Sequence, residues 1–260
     1  MTRMPVIFVG HGSPLTAFED NPITRAWTAL GRRIGKPRAV LVISAHWETK
    51  GVLITAAERP RTIHDFYGFP QALYDYTYDA PGDPALARDL QARLSAFGAR
   101  ADLDGWGLDH GSWSVLKFLF PDADVPVLQL SMDIRRTPEQ HYAIGQALAG
   151  LRDEGVLILA SGNIVHNLRL YNPRQPSPAW AERFDTAIVE QIGTANDAGI
   201  VNYLGLGDDA RLAAPESEHF LPLIYALGAR DQGESVEIFN RQLSSSLSMT
   251  SVAFGMPEAA

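Results

Sequence analysis

Pro5-Val6-Ile7-Phe8-Val9 runs without a polar break into Gly10-His11-Gly12-Ser13-Pro14. An unbroken apolar run of this length reads as a strand covered on both faces, so the glycine-flanked histidine falls where that strand opens into a loop. In α/β proteins that is where chemistry collects. The pattern recurs twice: Ala39-Val40-Leu41-Val42-Ile43-Ser44-Ala45 runs into His46, and Val156-Leu157-Ile158-Leu159-Ala160-Ser161 runs through Gly162-Asn163 to His166. Three strand ends, each with a histidine, point to one metal site.

A fourth apolar run at 125–130 completes the signal for a central sheet, mostly parallel or mixed. Between the runs lie helical patterns. Asp83 and Pro84 start one, with Leu86, Leu90, Leu94 and Phe97 on one face before Gly98. Thr137-Pro138-Glu139 starts another that runs to about Gly150, and residues 178 to 195 give a third with Trp180, Phe184, Ile188 and Ile192 at four-residue spacing. The expected fold is α/β, a single domain over 1–260 with helices packed on the sheet and the active site at strand ends. Residues 59 to 82 are too rich in Phe and Tyr for a solvent loop and are expected to fold over something. Val236 to Phe239 and Met249 to Phe254 read as late strands joined by Ser244-Ser245-Ser246.

Composition narrows the function. Twenty-two Lys and Arg against 30 Asp and Glu leave a net charge of −8, with no basic run, which argues against nucleic acid or an anionic membrane as partner. Without cysteine there is no disulfide and no thiolate site, so a bound metal is held by nitrogen and oxygen. No apolar run has the length of a signal-peptide core or a membrane span, making the cytoplasm the expected location.

The seven histidines differ in their surroundings. His11, between glycines, is a ligand or a turn residue bonded to a carbonyl, and His46 is a ligand or a sheet-edge residue; the matching positions of the two favour ligation, if their strands are adjacent. His166, after a small-residue turn, is a ligand or an acid–base imidazole. His219, at the start of a short apolar helix, reads first as a capping residue. His110 is a substrate-facing donor or a helix start, His64 a pocket-lining residue, and His141 a solvated surface residue on its helix. Glu48, Glu216 and Glu218 are carboxylates able to complete a ligand set if His219 does not.

Taken together, His11-Gly12-Ser13-Pro14, Ser44-Ala45-His46-Trp47, Ile63 to Pro70, Asp109-His110-Gly111, Ser161 to Asn167 and His219-Phe220-Leu221-Pro222-Leu223 resemble the class III extradiol ring-cleavage dioxygenases, of the 4,5-DOPA dioxygenase branch. The likeness covers nearly the whole chain, with the motifs in family order. It implies a central mixed sheet and one mononuclear site, with His11, His46 and His219 as metal ligands. It implies His166 as the acid–base histidine, able to come within ligand distance when zinc is bound, and His110 as an additional active-site histidine. Other members carry a glutamate where this sequence has His219, and an all-histidine set also suits Zn²⁺.

The expected reaction is O₂-dependent opening of a DOPA-like catechol to a semialdehyde acid, with Fe(II) as the active metal. His64, Phe66, Tyr67 and Phe69 are expected to bind the substrate, although a surface loop packed on its own aromatics is the alternative. Two other functions stay open: a zinc hydrolase using a hydroxide on three histidines, and a module that binds metal or an aromatic without turnover. The oligomeric state, a homodimer included, is not legible.

Overall fold

The apolar runs form one sheet: β1 (Val6–Gly10), β2 (Ala39–Ser44), β3 (Val127–Gln129) and β4 (Val156–Gly162), joined by β5 (Val236–Phe239) and β6 (Ser251–Phe254). The structure, a computed structural model, describes residues 3–103 and 105–257. Strand order is β3-β2-β4-β1-β6-β5, with β1 to β4 parallel and the last two antiparallel to their neighbours. The sheet is therefore mixed, and its parallel part is buried throughout β1, β2 and β4.

Six helices cover both faces: α1 (Pro22–Ile34), α2 (Pro84–Arg93), α3 (His110–Leu119), α4 (Pro138–Leu148), α5 (Ala179–Gly193) and α6 (Leu221–Ala229). Side chains alternate along each strand, so Val6 and Phe8 enter one core layer with α2, α4, α5 and α6. Ile7 and Val9 enter the other, against Trp27 of α1 and Trp113 of α3. Asp83 caps α2 by accepting from the Leu86 N–H, and Thr137 opens α4 with a capping box to Gln140. The α4 helix stops at Leu148 rather than Gly150, and the chain tightens into a 3₁₀ turn over Ala149–Glu154.

The three histidine-bearing strand ends are neighbours, but not in the expected arrangement. β1 and β2 are not adjacent; β4 lies between them, with Val9 and Ser44 both in register with Ser161. His11 and His46 thus approach from either side over the end of β4.

His141 is not on the surface. It is fully buried between α4 and α6, where its Nδ1 lies 2.8 Å from the Tyr225 hydroxyl. Burial lowers its pKa to about 4. Because the unfolded chain binds this proton near the ordinary pKa of about 6.5, the folded state loses stability as pH falls from there toward 4, by about 2 kcal/mol between pH 7.5 and 5. A His141→Phe protein is expected to lose correspondingly less stability than wild type over that range in urea unfolding; parallel losses would contradict the assignment.

Candidate metal centre

Two helix N-termini meet the strand ends from opposite faces. His110 is the first residue of α3, and His219 precedes α6 by two residues. His219 is not a cap, since α6 has no side-chain capping bond. Asp109, fully buried, caps α3 through the Ser112 N–H and accepts from the Ser44 hydroxyl at 2.7 Å, locking helix to strand. Burial pushes its pKa up.

The rings of His11, His46 and His219 form a nearly equilateral triangle, with centroids 5.0, 5.3 and 5.0 Å apart. Imidazoles bound to one ion through a nitrogen at about 2.1 Å, at angles between right and tetrahedral, have centroids roughly 4.6–5.3 Å apart. Two other pairs are closer than that: His110 lies 4.0 Å from His46, and His166 stacks on His219 at 3.4 Å with planes 8° apart. By nitrogen positions alone the ligating groups fall into two triplets, His11 with His46 and His110, and His166 with Glu218 and His219.

Hydrogen bonds decide which nitrogen each ring offers. The Ser161 hydroxyl donates its one proton to the Gly111 carbonyl at 2.5 Å, so its contact of 3.1 Å with His11 Nδ1 requires His11 to donate. His46 Nδ1 and His110 Nδ1 both face Asp65 Oδ2, at 3.2 and 2.8 Å. Burial alone would raise the Asp65 pKa, but the hydrogen bond and charges of His110 and His46 hold it at about 2. An ionised carboxylate only accepts, so both rings carry Nδ1–H. Glu218 Oε1 holds His219 Nδ1 in the same way at 3.0 Å.

His11 Nε2 and His46 Nε2 then point lone pairs at each other across 3.0 Å. Neither ring supplies a proton to that contact: burial above all puts the His11 pKa well below its usual value, and burial with the neighbouring His110 lowers that of His46 to about 3. Two facing lone pairs call for a cation, and two nitrogens at about 2.1 Å from one ion, at a right angle, lie about 3.0 Å apart. The donor set suits a divalent ion such as Fe(II) or Zn²⁺.

In front of the histidines lies a cavity of about 580 Å³, lined by Phe66, Phe69, Leu168, Tyr171 and Leu247 as well as the rings of His11, His46, His110, His166 and His219. Two residues expected to bind substrate are elsewhere. Tyr67 is 92% exposed, directed outward just before the left-handed turn at Gly68, whose φ is 77°. His64 is turned to the Tyr76 carbonyl, 2.9 Å from its Nε2, and supports Phe66 edge-on from behind. Of the carboxylates expected near the site, Glu216 is spent on Arg169 at the surface, whereas Glu218 orients His219. Sequence reading missed the roles of Ser161 and Asp65. A serine inside an otherwise apolar strand was the available signal for the first, because a buried hydroxyl needs a partner.

Parallel strand ends, buried histidines with fixed tautomers and an aromatic cavity define an α/β enzyme acting on a small molecule. Residues 5–255 match the family described as the catalytic LigB subunit of aromatic ring-opening dioxygenase. The chain is 47% identical over 261 residues to an Escherichia coli K12 protein named 4,5-DOPA dioxygenase extradiol, covering 98% of this chain and 96% of that one. A Beta vulgaris protein of the same name is 38% identical over 239 residues, covering 90% and 89%. A crystal structure of an uncharacterized Escherichia coli K12 protein superposes with a TM-score of 0.85 at 41% identity, covering 97% of this chain and all of that one. The chain belongs to the LigB family and is an extradiol aromatic ring-opening dioxygenase. Among the described residues no helix is long and apolar enough to cross a membrane.

Proposed function

We propose that the chain opens the ring of a DOPA-like catechol with O₂ at a single Fe(II) ion held by His11, His46 and His219. The observation that carries this reading is the 3.0 Å approach of the His11 and His46 Nε2 atoms, both left as acceptors by their Nδ1 partners. His219 supplies the third nitrogen because its ring completes the triangle and its Nδ1 is already held.

Fe(II), when bound there, supplies the redox centre through which electron density of the catecholate reaches O₂. Phe66 and Phe69 wall the flat ring and keep bulk water from it. His166, with its pKa lowered to about 4 by burial, is a neutral imidazole at pH 7 and is placed to take a catechol hydroxyl proton and return it during ring opening. His110, anchored through Nδ1 by Asp65, directs its Nε2 edge to the same cavity and stabilises charge developing on oxygen. Both O₂ atoms enter the product, a semialdehyde acid.

Reconstitution tests the reading against a zinc hydrolase. Apo-protein reloaded anaerobically with Fe(II), given DOPA and then O₂, is expected to take up oxygen and turn yellow, and Zn²⁺-loaded protein to do neither. Uptake with Zn²⁺ alone, or none with Fe(II) across a catechol panel, overturns it. A His166→Ala protein is expected to keep its iron while turnover falls by roughly 10²–10⁴; normal turnover would remove His166 from the acid–base role.

A further inference from the structure

The cavity has a charge pattern that ring opening does not require. Glu19 and Asp65 carry the formal charges of its side-chain lining apart from the histidines, and among the described residues no Lys or Arg contributes to it. Lys117 of α3 turns away, its Nζ donating to the Ala17 carbonyl at 2.7 Å and resting 4.1 Å over the Phe18 ring. Arg169 lines an adjoining opening that shares His46, His166, Leu168 and His219 with the cavity, and its guanidinium is paired there with Glu216 at 2.8 Å. Asp65 is engaged by His110 at the inner end, whereas Glu19 is exposed at the mouth, where Asn21 Nδ2 donates to its Oε2 at 2.8 Å. The apolar part of the lining includes Phe66, Phe69, Leu168 and Leu247.

We infer that the site selects catechols whose side chain carries a cationic amine, as that of DOPA does, over those whose side chain carries a carboxylate alone, the amine pairing with Glu19. The inference rests on the catechol reading above and adds the substrate class to it. With its diol at the histidines, a catechol extends its side chain along the apolar wall toward Glu19. A side chain with a carboxylate alone faces like charge there and, among the described residues, meets no Lys or Arg in the cavity lining, so discrimination comes from repulsion as well as from attraction to the amine. A pair at an open mouth is modest, giving about fivefold preference for amine over neutral side chain, and it weakens with salt.

Fe(II)-loaded protein held without oxygen is titrated with dopamine, 4-methylcatechol and 3,4-dihydroxyphenylpropionate, and kcat/KM is then measured for each in air. Affinity and kcat/KM are expected to fall in that order, and in Glu19→Gln the dopamine to 4-methylcatechol ratio is expected to drop to about one. Equal or better binding of the acid, or an unchanged ratio in Glu19→Gln, overturns the inference. Ordered binding without cleavage of any catechol sinks the ring-opening reading and leaves the selection standing. Absence of binding by all three overturns both.

Discussion

A His219→Ala protein is expected to bind Fe(II) more than about 100-fold more weakly than wild type, beyond the roughly 10–100-fold that loss of a residue merely orienting a ligand costs. Turnover disappears with the ion. His110→Ala is expected to behave differently, keeping Fe(II) to within about tenfold while turnover falls by roughly 10²–10³. The pair is informative because His110 also places a nitrogen close to His11 and His46. What separates the two rings is geometry: His219 stands 5.0 Å from His46 and 5.3 Å from His11, whereas His110 is packed 4.0 Å from His46. Anaerobic Fe(II) titration read alongside turnover distinguishes them. Loss of iron from His110→Ala with retention in His219→Ala would replace the proposed ligand set by His11, His46 and His110.

Gly162→Ala is expected to cost more than about 3 kcal/mol and to disable the centre at the same time. A methyl group at this position would lie 2.2 Å from the His219 carbonyl oxygen and 3.1 Å from Pro222 Cγ. The obstacle is backbone, not a flexible side chain, and the same carbonyl accepts from the Asn163 N–H at 2.8 Å. Relief therefore means moving the segment that carries His219. Gly193→Ala provides the control, since among the described residues its added methyl meets nothing within 4 Å beyond its chain neighbours and its own helix backbone. Urea unfolding of the two variants is expected to differ by the full penalty; similar midpoints would show that the 219–222 segment moves freely.

These expectations depend on features that the sequence revealed unevenly. Continuous apolar runs marked the buried parallel strands because a strand covered on both faces has no polar side to show. Asp83 and Thr137 marked helix starts because a capping side chain acts within three residues of itself. The α1 helix was passed over, although Asn21 and Thr24 form a capping box of the same kind around a first-turn Pro22. Long-range partners left no local trace. Asp65 meets His110 from 45 residues away, and Ser161 meets His11 across 150. Nothing near His141 announced Tyr225, 84 residues on, so the helix position read as surface. Tyr67 was misplaced for a related reason: its direction follows from the turn at Gly68 rather than from its aromatic neighbours. The family likeness supplied the third histidine, while the tautomers that suit the rings to a cation came only from their packing.

The central claim is that a catechol and O₂ combine whole at the centre formed by His11, His46 and His219. Oxygen consumption by the Fe(II)-loaded protein, measured together with the products of a limiting amount of catechol, tests it most directly. The account predicts one O₂ per catechol, no hydrogen peroxide, and a yellow ring-opened product heavier than the catechol by the mass of one O₂. Hydrogen peroxide with a quinone, or a product that has gained only the elements of water, would contradict it.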